Sequence, residues 1–203
     1  MPAPFAVETP HGPGRVHLHR VETPGGALIL GHGAGGGVAA PDLVTTTRVA
    51  CTAGLSVALV EQPYRVAGRR SSPPAHQLDA AWNAVVDHLR EGELSGLPLI
   101  AGGRSAGARV ACRTAEATGA VAVLCLAFPL VPPRRSGPGP SRLPELDAVG
   151  VSTLIVQGEG DRFGMPPPGE RRTVVVVPGD HSLKKDLPAV SAAVADWLPG
   201  VLR

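Results

Sequence analysis

The chain has 203 residues, of which 43% are hydrophobic and 18% are charged, and its net charge at neutral pH is +2. This balance predicts one globular domain over residues 1–203 and excludes a disordered or strongly charged chain. Because no basic block with interleaved aromatic residues is present, the sequence also argues against a nucleic-acid-binding protein.

The cysteines and the apolar runs bear on the compartment. Cys51, Cys112 and Cys125 cannot all pair within one chain, which favours reduced thiols. The N-terminal residues lack the basic start and apolar run of a signal peptide. The longest apolar run, residues 120–131, is too short for a bilayer, which needs about 20 residues. We therefore expect a cytoplasmic protein without a membrane partner.

In chain order, the apolar pattern predicts an N-terminal hairpin followed by alternating strands and helices. The hairpin comprises residues 5–8 and 15–21. The further predicted strands are 27–30, 57–60, 97–101, 121–126, 153–156 and 174–177. The predicted helices are 42–53, 78–89, 106–117, a turn or two at 145–149, and 187–198. Residues 129–144 are expected to form a loop rich in Pro and Gly.

Strands that are apolar throughout and separated by helices indicate a mostly parallel sheet with helices on both faces. We therefore predict a three-layer α/β fold that begins with an antiparallel hairpin. Right-handed crossovers bring the carboxyl ends of such strands to one edge, where ligands bind. Four glycine-containing segments follow strands and are expected at that edge: 31–37, 102–107, 158–164 and 179–182.

The segment 103–107 reads G-x-S-x-G between a predicted strand and a predicted helix. A serine on so sharp a turn exposes its hydroxyl, and side chains two residues before and after it would collide. Gly103 and Gly107 satisfy that steric need. The turn also places the Ala106 N–H at a helix N-terminus, where it can stabilise a developing oxyanion. Ser105 is therefore the candidate nucleophile.

A serine nucleophile needs a base, and the base needs an orienting acid. The order along the chain is Ser105, then Asp161, then His181, as expected for this arrangement. We assign Asp161 as the acid and His181 as the base. Glu159 is the main alternative acid, and Asp180 is a more distant one.

The loop of residues 31–37 is the expected source of the second oxyanion donor, and Ala34 is the assigned residue. The loop lacks the spacing of a dinucleotide fingerprint or a phosphate loop. We interpret His32 as a structural residue that braces the loop, with a second base as the alternative.

The remaining polar residues are given structural roles or no assigned role. Arg104 is expected to pair with a carboxylate such as Glu61 in a structural role. His17 and His19 alternate on a hairpin strand, are expected to face solvent, and lack a third ligand for a metal.

Three arginines follow the strand at 57–60: Arg65, Arg69 and Arg70. They could attract an anionic substrate, or they could be solvated or paired with carboxylates.

Taken together, these motifs resemble the α/β-hydrolases, and in particular the small lidless group related to dienelactone hydrolase. The closest similarity is to a bacterial family that shares its domain with a subunit of an animal histone acetyltransferase complex. The segments that carry the resemblance are 31–36, 61–65 running to 68–70, 103–107, 158–161 and 180–183.

The resemblance implies a fold without a cap domain, a triad of Ser105, Asp161 and His181, oxyanion donors at Ala34 and Ala106, and no cofactor. Dienelactone hydrolases proper use a cysteine nucleophile where this sequence has serine, so their substrate is not carried over.

The favoured interpretation is a serine hydrolase that cleaves a small ester or thioester through an acyl-enzyme. The alternative is a non-catalytic domain of the same fold that serves in protein interaction, and fold alone does not separate the two. A nucleotide-binding domain would need a phosphate motif that the sequence lacks. Because residues 129–144 are too short to build a helical lid, we expect an open site that prefers short acyl chains.

Overall fold

A computed structural model describes residues 2–134 and 137–202, and its elements follow the predicted order. The strands are β1 Phe5–Val7, β2 Gly14–His19, β3 Gly26–Gly31, β4 Leu55–Glu61, β5 Leu99–Arg104, β6 Ala122–Leu126, β7 Pro133–Arg134, β8 Gly137–Pro138, β9 Ser152–Gly158 and β10 Arg172–Val177. The helices are α1 Pro41–Thr52, α2 Pro63–Val66, α3 Ala75–Glu91, α4 Ala106–Thr114, α5 Leu143–Asp147 and α6 Leu187–Val201.

Eight of the strands form one twisted layer in the order β1-β2-β4-β3-β5-β6-β9-β10. The pairs β1–β2 and β2–β4 are antiparallel, and all other pairs in this sheet are parallel. The predicted α/β class, with its N-terminal antiparallel hairpin, is therefore confirmed. The parallel strands all run the same way, so the ends of β3, β5 and β9 lie along one edge, which we call the catalytic edge.

Each face of the sheet buries its own apolar cluster. Helices α3 and α4 contribute to one cluster, in which Trp82, Val86 and Leu89 of α3 have no exposed surface. Helices α1 and α6 contribute to the other, with Leu43 and Val194 equally buried. Packing in these two clusters holds in place the helices that begin near the catalytic edge. Each fully buried aliphatic side chain adds about 1.5–3 kcal/mol to stability.

Several predicted boundaries differ from the structure, and the end of the fourth helix is one of them. Helix α4 ends at Thr114 rather than 117, and the chain then turns tightly to Gly119, whose φ is 61°. The next amide, Ala120 N–H, bonds to Ala115 O at 3.0 Å, which closes the helix end around that glycine.

The predicted loop at 129–144 contains the short antiparallel pair β7–β8, and α5 begins within it at Leu143. Arg135 and Ser136 of this segment lie outside the described residues. None of the helices described is both long enough and apolar enough to cross a membrane.

The expectation that His17 and His19 face solvent is wrong. His17 is only 9% exposed, and His19 is half-buried. The reason is that both side chains project from one face of β2, and helix α1 lies against that face: His19 borders Val44 and Thr47 of the helix. His17 Nε2 lies 3.6 Å from Glu61 Oε2 on the neighbouring strand.

Candidate active site

Ser105 lies on the sharp turn that joins β5 to α4 at the catalytic edge. Its φ of 54° and ψ of −107° place it in a region that residues with a Cβ rarely adopt. A Cβ on Gly103 would lie 2.6 Å from Gly31 O, and one on Gly107 would overlap the same carbonyl. The predicted steric need for both glycines is thus met, and the backbone of β3 is what enforces it.

The side chains of Ser105, His181 and Asp161 form one continuous hydrogen-bonded chain. Ser105 Oγ lies 2.8 Å from His181 Nε2, and His181 Nδ1 lies 2.7 Å from Asp161 Oδ2. Because a carboxylate only accepts, Nδ1 carries the proton and donates to Asp161, which leaves Nε2 to accept from the Ser105 hydroxyl. In this arrangement an imidazole is able to take a proton from a serine.

Three donors fix the orientation of the Asp161 carboxylate, which has no exposed side-chain surface. Its Oδ1 accepts from the Phe163 N–H at 2.9 Å. Its Oδ2 accepts from Gln157 Nε2 at 2.8 Å in addition to His181. The loop after β9 therefore presents the carboxylate to the imidazole in one defined direction.

Neither alternative acid contacts His181. The Glu159 side chain is 59% exposed, and its carboxylate lies 3.8 Å from Lys185 Nζ. Asp180 Oδ1 accepts from Ser182 Oγ at 2.6 Å and from the Ser182 N–H at 2.8 Å. Both hydrogen bonds lower the pKa of Asp180, and the bond from the Ser182 hydroxyl has the larger effect. Among the three carboxylates weighed from the sequence, the structure brings Asp161 to the imidazole.

Phe163 is a further neighbour of His181 that sequence analysis missed. The two ring centroids lie 4.3 Å apart with an interplanar angle of 50°, so the rings are in van der Waals contact. The signal was available in the sequence, because Phe163 is one of three phenylalanines and follows Asp161 by two positions.

The loop after β3 approaches Ser105 closely. A Cβ on Gly33 would lie 3.5 Å from Ser105 Cβ and 2.8 Å from Arg104 Nη1, so a side chain there would displace the Arg104 guanidinium. The next residue, Ala34, is held through its carbonyl, which accepts from Tyr64 Oη at 2.9 Å.

The amides assigned as oxyanion donors, those of Ala34 and Ala106, form no hydrogen bond with any described residue. Both therefore remain available to a ligand, and their role stays a prediction.

His32 braces this loop, as interpreted from the sequence. Its Nε2 accepts from the Gln62 N–H at 3.1 Å, so its Nδ1 carries the proton and donates to Gly33 O at 2.8 Å. Burial lowers the pKa of His32, and the bond to Gly33 opposes that change. The Gly33–Ala34 peptide is planar and trans, so anchoring its carbonyl also directs the Ala34 N–H the opposite way.

Arg104 pairs with a carboxylate, as predicted, but that carboxylate is Asp42 and not Glu61. Arg104 Nε lies 2.9 Å from Asp42 Oδ2, and its Nη2 donates to His181 O at 2.9 Å. Glu61 instead pairs with Arg15 at 3.1 Å, because β2 lies beside β4. Burial raises the pKa of Asp42, while the nearby guanidinium opposes the rise. Arg104 thus connects the nucleophile turn, α1 and the loop that carries His181.

Among the described residues, no hydrogen bond or ion pair joins Arg69 or Arg70 to Ser105, His181 or Asp161. Both side chains are exposed. Arg69 borders a separate cavity of about 300 Å³, which is also lined by Tyr64 and Gln77 and by no member of the Ser105–His181–Asp161 chain. Their role toward an anionic substrate therefore stays an untested prediction.

Among the residues that the structure describes, no group of three or more His, Cys, Asp or Glu side chains has the geometry to hold a metal ion. The chain of hydrogen bonds from Asp161 to Ser105 is thus the chemically distinctive feature of the catalytic edge.

Comparison with known proteins matches the fold over nearly its whole length. The family model of the alpha/beta hydrolase domain matches residues 24–189. A lidless α/β serine hydrolase from Xanthomonas campestris superposes with a TM-score of 0.78 at 19% identity, covering 98% of this chain and 94% of that one. Est1E from Butyrivibrio proteoclasticus gives 0.79 at 14% identity, covering 98% of both chains.

A dienelactone hydrolase from Anabaena variabilis gives a TM-score of 0.78 at 17% identity, covering 100% of this chain and 99% of that one. No curated protein is significantly similar in sequence. At these identities the structural matches show the shared fold alone, and the chemistry must be argued from the residues of this chain.

Proposed function

The chain belongs to the α/β-hydrolase family, and we propose that it is a serine hydrolase that cleaves a small ester or thioester. The observation that carries the proposal is the chain of 2.8 Å and 2.7 Å contacts from Ser105 through His181 to Asp161, set on a strained turn. Strain of this kind persists only where the surrounding structure holds it, and it is typical of active sites.

In the acylation half of the reaction, Ser105 Oγ attacks the carbonyl carbon of the substrate. Its proton passes to His181 Nε2, and the imidazolium that forms is stabilised by Asp161 on Nδ1. The amides of Ala34 and Ala106 would donate to the oxygen that becomes negative. As the carbonyl re-forms, the bond to the leaving alkoxide or thiolate breaks, and that group takes the proton from Nε2.

In the second half, His181 Nε2 takes a proton from a water molecule, which attacks the acyl carbon. The bond to Ser105 Oγ then breaks, the hydroxyl recovers its proton from the imidazole, and the carboxylic acid leaves. No group other than the side chains and amides already named is required. The free energy of the transition state is lowered chiefly by the two amides and by the fixed position of the imidazole.

The surroundings of Ser105 favour small substrates. In the described part of residues 129–144 the regular elements are the short pair β7–β8 and the start of α5. Helix α5 is held against α4 through the ion pair of Arg109 with Glu145. Phe163 is the aromatic side chain that contacts the imidazole, and a short acyl chain would pack beside it.

A fluorophosphonate probe tests the nucleophile without knowledge of the substrate. We expect the probe to label the wild-type protein and to fail on Ser105→Ala with an unchanged thermal midpoint. The matched control is Ser182→Ala, because the Ser182 hydroxyl is bonded to Asp180 and not to the imidazole. Labelling of Ser105→Ala at the wild-type rate would reject the assignment. A wild-type protein that resists labelling would favour the non-catalytic interaction domain.

The acid is tested by Asp161→Asn, with Glu159→Gln as the matched control. Asp161→Asn should lower kcat by about 10⁴-fold, because the amide favours the wrong imidazole tautomer. Glu159→Gln should leave kcat unchanged, since its carboxylate faces solvent and Lys185. The opposite pattern would show that Glu159 is the acid.

Nitrophenyl esters of two-, eight- and sixteen-carbon acids test the size preference. We expect the highest kcat/KM on the two-carbon ester, because an open site offers little apolar surface to a long chain. Highest activity on the sixteen-carbon ester would contradict the open-site argument. A carboxylated ester compared in wild type and in an Arg69→Ala/Arg70→Ala double variant tests the arginines, and an unchanged preference removes their role.

A further inference from the structure

One buried side chain behind the site is unexplained by packing. Gln157 lies in β9, whose other buried side chains are apolar except for Thr153, and it has no exposed surface. We propose that Gln157 is a positioning residue that holds the Asp161 carboxylate, and through it the imidazole of His181, in the reactive geometry. This inference rests on the proposed function, because it assigns a role within the same site.

The Gln157 amide nitrogen is surrounded by three acceptors. Nε2 lies 2.8 Å from Asp161 Oδ2, 2.9 Å from Gly164 O and 3.1 Å from Phe128 O. An amide group has two N–H hydrogens, so one of them is shared between two of these acceptors. The flipped orientation would direct Oε1 at three acceptors, so the environment fixes which end of the amide faces Asp161.

The other end of the same amide indicates that this arrangement serves more than packing. Gln157 Oε1 is buried and has no hydrogen-bond partner among the described residues. An amide retained for stability alone would satisfy both ends, because an unpaired buried acceptor destabilises the fold. Here the side chain leaves Oε1 unpaired while its nitrogen donates to the carboxylate that contacts His181.

The three acceptors also belong to two segments that meet at the catalytic edge. Phe128 follows β6, whereas Asp161 and Gly164 both lie in the loop after β9 that carries Phe163 against the imidazole. Ala127, beside Phe128, has a φ of 52°, so this junction is strained as the serine turn is. Gln157, which is itself part of β9, therefore ties the carboxylate to the sheet and to the segment after β6.

Gln157→Glu provides the decisive variant, since it replaces the donor with a group of the same shape that titrates. While protonated, the introduced carboxyl donates to Asp161 Oδ2 as the amide does. Once ionised, the introduced carboxylate can no longer donate, and it places a second negative charge beside that of Asp161. Because two adjacent carboxylates repel each other, the pair holds its shared proton tightly. For Gln157→Glu, kcat/KM plotted against pH should therefore show an additional decrease on the basic side. Once the shared proton is lost, kcat/KM should be lower by about 10- to 100-fold.

Gln157→Met is the second variant, because it keeps the volume and apolar character needed for folding but cannot donate or titrate. It should lower kcat by about 10- to 100-fold at every pH, with little change in KM and no additional decrease on the basic side. Thr153→Val is the matched control: Thr153 is 3% exposed and lies on the same strand, and its hydroxyl donates to Val151 O at 3.1 Å. Its profile should coincide with that of the wild type.

A proton NMR measurement keeps this test separate from the proposed function. The low-field resonance of the proton between His181 Nδ1 and Asp161 is observable whether or not the protein turns over an ester. It should be altered by both Gln157 variants and unchanged in Thr153→Val. Failure of the wild type to hydrolyse esters would reject the proposed function alone. An unaltered resonance in both Gln157 variants, or a wild-type pH profile in Gln157→Glu, would overturn the positioning role.

Discussion

The ion pair between Arg104 and Asp42 gives the sharpest test of how the site is held in place. Arg104 Nε lies 2.9 Å from Asp42 Oδ2, and the Asp42 side chain has no exposed surface. The same guanidinium donates to His181 O at 2.9 Å. Asp42→Asn preserves the shape of the side chain and removes its charge. It therefore leaves a partly buried guanidinium without its counter-ion directly beside the nucleophile turn.

The structure sets the size of the effect. Removing one partner of a buried ion pair costs about 3–5 kcal/mol, chiefly because the other charge stays buried and unpaired. Since 17% of the Arg104 side chain reaches solvent, we expect the lower end of that range, about 3 kcal/mol, for Asp42→Asn. The free energy of unfolding of a folded protein is about 5–15 kcal/mol, so this loss is a large share of the total.

Glu159→Gln is the comparison, because it breaks the exposed contact with Lys185. It should cost less than about 1 kcal/mol.

Urea unfolding and steady-state kinetics together distinguish the roles of the two partners. Arg104→Met should be destabilised to a similar extent, and the double variant should lose less than the sum by about 0.5–3 kcal/mol. Asp42→Asn should keep most of kcat, because the bond from Arg104 to His181 O survives. Arg104→Met should lose about tenfold in kcat, since a charged donor to the loop of the base is gone. Additive stabilities, or equal kcat in both single variants, would refute this reasoning.

Local sequence was sufficient to predict the turn that carries Ser105. The steric need that places glycine at 103 and 107 acts within five residues, and the apolar strand before it and the helix after it are equally local. For the same reason the order of strands and helices followed from periodicity. The contact of His181 with Asp161 was predictable because both follow strands that end at the same edge.

Partners that depend on which strands are neighbours were not predictable in this way. The sequence indicates that Arg104 pairs with a carboxylate but does not identify which one: β2 places Arg15 beside Glu61, and Asp42 of α1 pairs with Arg104. Alternation along β2 likewise does not reveal that a helix lies against the face that carries His17 and His19. Both errors concern contacts between segments that are distant in the chain.

Gln157 was missed although its signal is local. Polar residues are rare within strands that are buried on both faces. An amide side chain near the end of such a strand therefore indicates that a buried polar group nearby needs a hydrogen-bond partner. The neighbouring Gly158 is equally specific, because a Cβ there would overlap the backbone of Asp180. Gly158 thus lets the loop of the base pack directly against the end of β9, while Gln157 holds the loop of the acid.

Three further predictions concern the frame around the site. Gly107→Ala should lower the thermal midpoint by at least about 5 °C, because a Cβ would overlap the backbone of β3. Gly35→Ala is the control and should match the wild type, since a Cβ there meets open space. Equal midpoints for the two variants would contradict the close packing at Gly107. Asp186→Ala removes the side chain that caps α6 and should cost about 1 kcal/mol in urea unfolding, and an unchanged midpoint would deny the cap its role. The last prediction is a pH dependence of stability that originates at His32. Its Nε2 accepts the Gln62 N–H at 3.1 Å, so protonation would set two donors against each other. Burial accordingly lowers the pKa of His32 from its ordinary value of 6.5 in the folded protein. Below that value the unfolded chain binds a proton that the folded protein does not, so the free energy of unfolding falls as the pH drops and levels off below the lowered pKa. His32→Gln removes the titrating group, so its free energy of unfolding, measured in urea from pH 8 to 5, should decline less steeply than that of the wild type. Identical slopes for the two proteins would show that His32 is not held neutral by the loop that it braces.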